Sequence, residues 1–147
     1  MRTQFAPWTH VLLRVGAGVL FMEHGAQKLF GWLGGVGGPG AAVPLVSQMG
    51  LAGLFELVGG ALLVIGLFTV PVAAVLFLEM IWAYFQAHAP QGGWPVQNQG
   101  ELALLYATIF AFLAGNGAGP LSVDAWIPAR LHRERRRLFD RRAHATA

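Results

Sequence analysis

The chain has 147 residues, 55% of them hydrophobic and only 12% charged, with a formal net charge of +3 and a mean hydropathy of +0.53. An ordinary soluble domain is about a quarter charged, and a domain this small must keep much of its surface covered by polar groups. The charges here cannot do that, because seven of the ten basic residues lie beyond Pro128, so a soluble globule is excluded in favour of a chain that uses lipid as its solvent.

A membrane helix needs about 20 mostly apolar residues, and four stretches approach that length. The first runs from about Trp8 to Phe30. Its apolar core is broken by Arg14, Glu23, His24 and Lys28 and carries no convincing cleavage site, so it reads as a retained segment and not a leader. Gly31 to Pro44, rich in glycine and holding two prolines, is expected to be a loop. The second pass runs from about Gln48 to Phe68. A tight turn follows at Thr69–Val70–Pro71, with Pro71 placed in the first helical turn, where its missing N–H costs little. The third pass spans about Val70 to Ala87, and Ala89 to Asn98, with Pro90, Gly92, Gly93 and Pro95, is expected to leave the helix. The fourth spans about Gly100 to Gly115 and ends in Gly115–Asn116–Gly117–Ala118–Gly119–Pro120. The pattern predicts an all-α integral membrane four-helix bundle over residues 1–125, with a basic tail over 126–147 and no repeat or second domain.

The tail carries Arg130, Arg133, Arg135, Arg136, Arg137, Arg141 and Arg142. Basic residues close to a span stay in the cytoplasm, so an even number of passes puts both termini, with Arg2, on that side of the inner membrane, and turns the two Gly/Pro-rich loops outward. The cluster reads as a topology anchor touching anionic lipid, not as a nucleic-acid site.

Ionisable residues inside a span cost roughly 2.5–3.5 kcal/mol each on insertion scales and mark function by default. At 100° per residue Arg14, Gly18, Phe21, Gly25 and Lys28 share one stripe of the first helix, with His24 at its edge and Glu23 almost opposite Arg14. Gly53, Glu56 and Gly60 share a face of the second helix, which permits close approach around the carboxylate. Val75, Glu79, Ala83 and Gln86 align on the third, and Glu101, Thr108 and Gly115 on the fourth. His24, Lys28, Gln86, His88, Asn98 and Glu101 gather toward the outer end, with Glu56 and Glu79 deeper, about 10–15 Å from the nearer helix end. Arg14 lies toward the cytoplasm, where Asp124 is placed to pair with it. The expected arrangement is an outward-opening polar pocket of His24, Lys28, Glu56, Glu79, Gln86 and Glu101 above a structural Arg14–Asp124 ion pair. Plainer roles compete with it: snorkelling of Lys28 and Arg14, a capping box of Asn98 with Glu101, and neutral, hydrogen-bonding carboxyls at Glu56 and Glu79. His24 and His88 have no spacing that identifies a metal or haem site, so no metal is expected.

Four segments together resemble the DoxX family of small bacterial and archaeal membrane proteins: His24–Gly25–Ala26–Gln27–Lys28–Leu29–Phe30–Gly31, Glu56–Leu57–Val58–Gly59–Gly60 running on to Gly66–Leu67, Gly100–Glu101–Leu102–Ala103, and Gly117–Ala118–Gly119–Pro120–Leu121–Ser122–Val123–Asp124. The resemblance covers about Thr9 to Asp124. It implies a four-helix membrane domain whose family pattern falls here at Arg14, His24, Lys28, Glu56, Glu101, Ser122 and Asp124; Glu23 matches no family position. It also implies a link to redox chemistry, since relatives form membrane subunits of thiosulfate:quinone oxidoreductase and others are associated with oxidative-stress and sulfur-redox partners. With no cysteine in the chain, thiol chemistry and iron–sulfur ligation are excluded, so any redox step uses an external cofactor such as quinone or takes place on a partner protein. The leading expectation is a redox-linked membrane protein whose pocket takes a small sulfur oxyanion or a quinone headgroup, with no catalytic residue assigned. The alternatives are a non-catalytic scaffold that recruits redox-stress partners and a small transporter acting as a homo-oligomer.

Overall fold

A computed structural model describes residues 5–36 and 38–127. The basic tail from Arg130 to Arg142 and the terminal Arg2 lie outside the described residues, and of the expected tail over 126–147 only Trp126 and Ile127 lie within them. Among the described residues the chain is all-helical, with α1 at Ala6–Phe30, α2 at Gln48–Ile65, α3 at Thr69–Ala83, a short α4 at Pro95–Asn98 and α5 at Glu101–Asn116.

Each boundary has a local cause. Gly31 ends α1 in the left-handed conformation (φ 68°), which glycine adopts without a Cβ penalty. The loop then folds back, with Val43 N donating to Lys28 O at 2.9 Å. Ser47 caps α2, its hydroxyl oxygen accepting from Gly50 N at 3.0 Å. Two boundaries differ from the sequence expectation. The turn between the second and third passes is at Gly66–Phe68, where Gly66 and Phe68 are both left-handed, so α3 begins at Thr69 and Pro71 is its third residue. The stretch from Ala89 to Asn98 is not simply irregular. A π-helical turn at Tyr84–His88 and a 3₁₀ turn at Ala89–Gln91 extend α3, and α4 follows at Pro95.

Two of these helical segments, Gln48–Ile65 and Thr69–Gln91, are long and apolar enough to cross a membrane; α5 is shorter. At 25 residues α1 is longer than either but carries Arg14, Glu23 and Lys28. The outward faces are apolar, with Leu54, Val58 and Ile65 of α2, Leu78 of α3 and Leu105 and Phe112 of α5 all exposed. An apolar surface this extensive has no place in water.

α1 packs along α2 and α3 along α5, while α1 meets α5 chiefly through aromatic side chains. Glycine makes the first pairing close: a Cβ on Gly18 would stand 2.8 Å from Gly60 O, and one on Gly25 would stand 2.5 Å from Leu57 N. Backbones this near one another exclude any larger residue, as at small-residue membrane interfaces. The second pairing is conventional, with Ala73, Leu76 and Met80 against Ala103, Phe110 and Leu113. Phe21 of α1 joins this core edge-on to Phe110, ring centroids 4.9 Å apart.

Candidate functional site

The stripe on α1 that carries Arg14, Gly18, Phe21, Gly25 and Lys28 faces inward, and its two cations do different work at the two ends. Arg14 is fully buried. Its guanidinium donates to Leu63 O, to Val64 O at 2.8 Å and to Leu121 O at 2.9 Å. It therefore sits on the last turn of α2, where the helix dipole is negative, and ties that turn to the segment after α5. The expected ion pair with Asp124 is not formed as a direct contact. Asp124 instead accepts from Phe68 N at 2.8 Å and Thr69 N at 2.7 Å, and its own N–H donates to Gly66 O. Both charges thus clasp the α2–α3 turn, each through backbone and not through the other. The sequence located the two groups at one junction but could not show that carbonyls and amides there would compete for them.

At the other end the four long helices splay around a chamber of about 960 Å³. Lys28 donates to Glu56 Oε1 across the α1–α2 contact, the side chains being 14% and 4% exposed. It is the one ion pair among the described residues. Glu79 reaches the same chamber from α3. Both of its carboxyl oxygens, and Glu56 Oε2, are buried without a hydrogen-bond partner. His24 lines the wall beside Tyr106, edge to face with centroids 6.1 Å apart. The remaining walls are largely aliphatic and aromatic, Phe21, Phe55, Leu78 and Trp82 among them.

Gln86, brought to the rim by the π-helical turn, forms a reciprocal amide pair with Gln48; Gln86 Nε2 donates to Gln48 Oε1 at 3.0 Å, and Gln48 Nε2 donates back. His88 also lines the rim, with its Nδ1 3.0 Å from Asn98 O. Wide helical turns of this type often occur at functional sites because they redirect side chains without ending the helix.

Of the residues expected to form the pocket, His24, Lys28, Glu56, Glu79 and Gln86 line the chamber, and Glu101 does not. Glu101 is exposed in the first turn of α5, where a negative charge suits the helix dipole. The rotation of α5 explains this. Its packed face is Ala103, Tyr106, Ala107, Phe110 and Leu113, so the row of Glu101 and Thr108 turns outward. The capping box is absent as well: α5 starts from Gly100 without a side-chain cap, and Asn98 Oδ1 accepts from Gly100 N at 2.9 Å while its amide donates to Gly92 O. Glu23 is exposed on the outer side of α1. Gln48 and Gln99 belong to the rim without having been singled out in the sequence; a polar amide at the start of an apolar pass was the available signal for Gln48. Among the described residues no group of three or more His, Asp or Glu is placed to hold a metal ion.

Comparison with known proteins agrees with the sequence motifs. The DoxX family model matches residues 9–89. An uncharacterized protein of Haemophilus influenzae is 37% identical over 128 residues, an alignment covering 82% of this chain and 92% of that protein. No solved structure matches the chain.

Proposed function

The chain belongs to the DoxX family of membrane proteins, and from that premise we propose that it is a four-pass protein of the inner membrane whose chamber binds the headgroup of a lipid-soluble quinone. Residues 1–125 form the membrane domain. Both termini and the basic tail over 126–147 are cytoplasmic, and the chamber lies toward the outer side. The exposed tryptophans suit a membrane-crossing bundle, Trp8 and Trp126 at the end with the termini and Trp32, Trp82 and Trp94 toward the other, while the orientation rests on the basic tail. Tryptophan gathers at the two membrane–water boundaries.

The observation that carries the ligand is the chemistry at the chamber floor. Its one lysine is already paired with Glu56, and three buried carboxyl oxygens of Glu56 and Glu79 have no partner. Buried polar atoms left unpaired cost about 1–3 kcal/mol each. They need a hydrogen, either from a ligand hydroxyl or carried on the carboxyl itself. A sulfur oxyanion brings no hydrogen and adds negative charge beside two carboxyls, so the arrangement disfavours it. A quinone–quinol couple meets the site in both forms: quinol hydroxyls donate to Glu79 and Glu56, and quinone carbonyls accept from His24 or a protonated carboxyl. Apolar walls suit the ring, and pockets of roughly 300–1,000 Å³ hold whole drug-sized ligands.

With the quinone bound, the couple supplies the redox chemistry: oxidation of quinol releases two electrons and two protons. This chain's residues act on the protons and the orientation. Glu79 exchanges a proton with the facing hydroxyl, Lys28–Glu56 fixes the ring's other edge, and the apolar walls exclude water. The electrons pass to or from a partner redox protein, which makes the chain a membrane subunit and not a complete oxidoreductase.

Thermal unfolding of purified protein in detergent tests the reading. A short-tailed ubiquinone or menaquinone at 100 times its Kd stabilises the fold by about 2.7 kcal/mol, Glu79→Gln removes most of that gain, and thiosulfate has no effect. A thiosulfate-dependent shift with none from either quinone overturns it.

A further inference from the structure

The chamber's rim does not run only around its polar end. Leu51 and Phe55 of α2 and Val75, Leu78 and Trp82 of α3 line the cavity, and all five are also exposed, Phe55 by 49% and Leu78 and Trp82 by 64% each. A chamber whose wall side chains are this accessible is open along them. From Val75 to Trp82 that opening follows α3 for about 10 Å at 1.5 Å per residue. It therefore lies along the helices, in the side of the protein, and not across their ends.

The opening has a frame. Toward the α2–α3 turn the two helices are in close contact, since a Cβ on Gly59 would stand 2.9 Å from Leu76 Cδ2. At the opposite end the paired amides of Gln48 and Gln86 bridge them. Between floor and bridge the chamber wall is open, with Phe55 on the α2 side and Leu78 and Trp82 on the α3 side. Behind the gap stand the unpartnered oxygens of Glu79.

We infer that this gap is a lateral window through which the chamber takes its ligand from the bilayer, the ligand's apolar tail remaining between Phe55 and Leu78 while its polar head lies at Glu79 and Lys28. The identity of the head rests on the quinone reading above; the window does not. The occupant follows from the cavity's form. A single ring leaves much of 960 Å³ unfilled, and the unfilled part is the aliphatic portion continuous with the outer surface. A water-soluble ligand would have to pass the Gln48–Gln86 bridge and would gain nothing from an apolar jamb, whereas a hydrocarbon tail fits the jamb and remains in lipid.

The absence of cysteine in the chain allows a test that involves no quinone. Single cysteines are placed at Ala103, on the α5 wall of the chamber, and at Leu54, an outward residue of α2 that does not line it. In proteoliposomes a lipid-soluble maleimide labels Ala103→Cys at a measurable rate. Adding Leu78→Trp slows that labelling about ten-fold and leaves Leu54→Cys unchanged, while a sulfonated, membrane-impermeant maleimide labels Ala103→Cys at least ten-fold more slowly than the lipid-soluble one. Equal rates for the two reagents, no effect of Leu78→Trp, or no labelling by either reagent overturns the window. Should Ala103→Cys fail to fold, Ala83→Cys serves the same purpose from α3. A second arm compares ubiquinone-2 with its tail-less ring. Tighter binding of the tailed compound by ten-fold or more, lost in Leu78→Trp, is expected. Equal binding of both compounds overturns the tail's placement while leaving the headgroup reading intact, and binding of neither overturns the headgroup reading while the labelling result still decides the window.

Discussion

Replacing Arg14 with Met lowers the stability of the folded protein by about 3–5 kcal/mol, the sum expected when buried carbonyls lose a charged donor at about 1–3 kcal/mol each. Arg14 is fully buried and is the donor to three backbone carbonyls, at Leu63, Val64 and Leu121. The variant takes the charged donor from Val64 O and Leu121 O, leaves Leu63 O with Gly66 N alone, and frees the segment after α5 from the end of α2. Arg14→Lys keeps the charge but not the planar fork that lets one side chain reach two separate elements, so it recovers less than half of the loss. Reversible unfolding in mixed micelles, followed by tryptophan fluorescence, reads both variants. A cost under about 1 kcal/mol for Arg14→Met contradicts the assignment of this residue as the tie between α2 and the 117–124 segment.

Lys28→Met has the second large effect, about 3 kcal/mol, and for a different reason. Removing the ammonium leaves Glu56 Oε1 without its donor, in a chamber where Glu56 Oε2 and both Glu79 oxygens already have none. The loss is therefore mainly the cost of a stranded carboxyl and not of a missing attraction. Adding Glu56→Gln to Lys28→Met accordingly returns at least about 1 kcal/mol, a coupling in the range seen for residues in one network. Had Lys28 merely snorkelled toward water, the two substitutions would add within about 0.5 kcal/mol.

What the sequence made legible follows from the physics of a helix in lipid. Charges are rare there, so their positions are strong signals, and the 3.6-residue repeat fixes which of them share a face. That is why the stripe from Arg14 to Lys28, the Gly53–Glu56–Gly60 face and the alignment of Glu79 with Gln86 could be read directly. Rotation of the apolar helices could not. The exposed face and the packed face are equally apolar in α5, so nothing in its pattern indicated that Ala103, Tyr106 and Phe110, and not Glu101, would turn inward. Backbone partners were equally hidden. The sequence placed Arg14 near Asp124, but Arg14 takes carbonyls at the end of α2 and at Leu121, and Asp124 takes the amides of Phe68 and Thr69, which a left-handed turn at Gly66 and Phe68 presents. The close approach of α2 to α3 at Gly59 and Leu76, which bounds the chamber on one side, leaves no mark in hydropathy.

The central claim is that the carboxyl of Glu79, buried and without a partner, meets the polar head of a lipid-soluble quinone. Infrared difference spectroscopy measures this contact directly, because a carboxyl group changes its stretching frequency when its hydrogen bonding or proton changes. Addition of ubiquinone-2, followed by its reduction to quinol, is expected to give a carboxyl difference band that vanishes in Glu79→Gln and persists in Glu101→Gln, whose carboxyl lies outside the chamber. A quinone that binds while the carboxyl region stays flat, or a band that survives in Glu79→Gln, contradicts the claim.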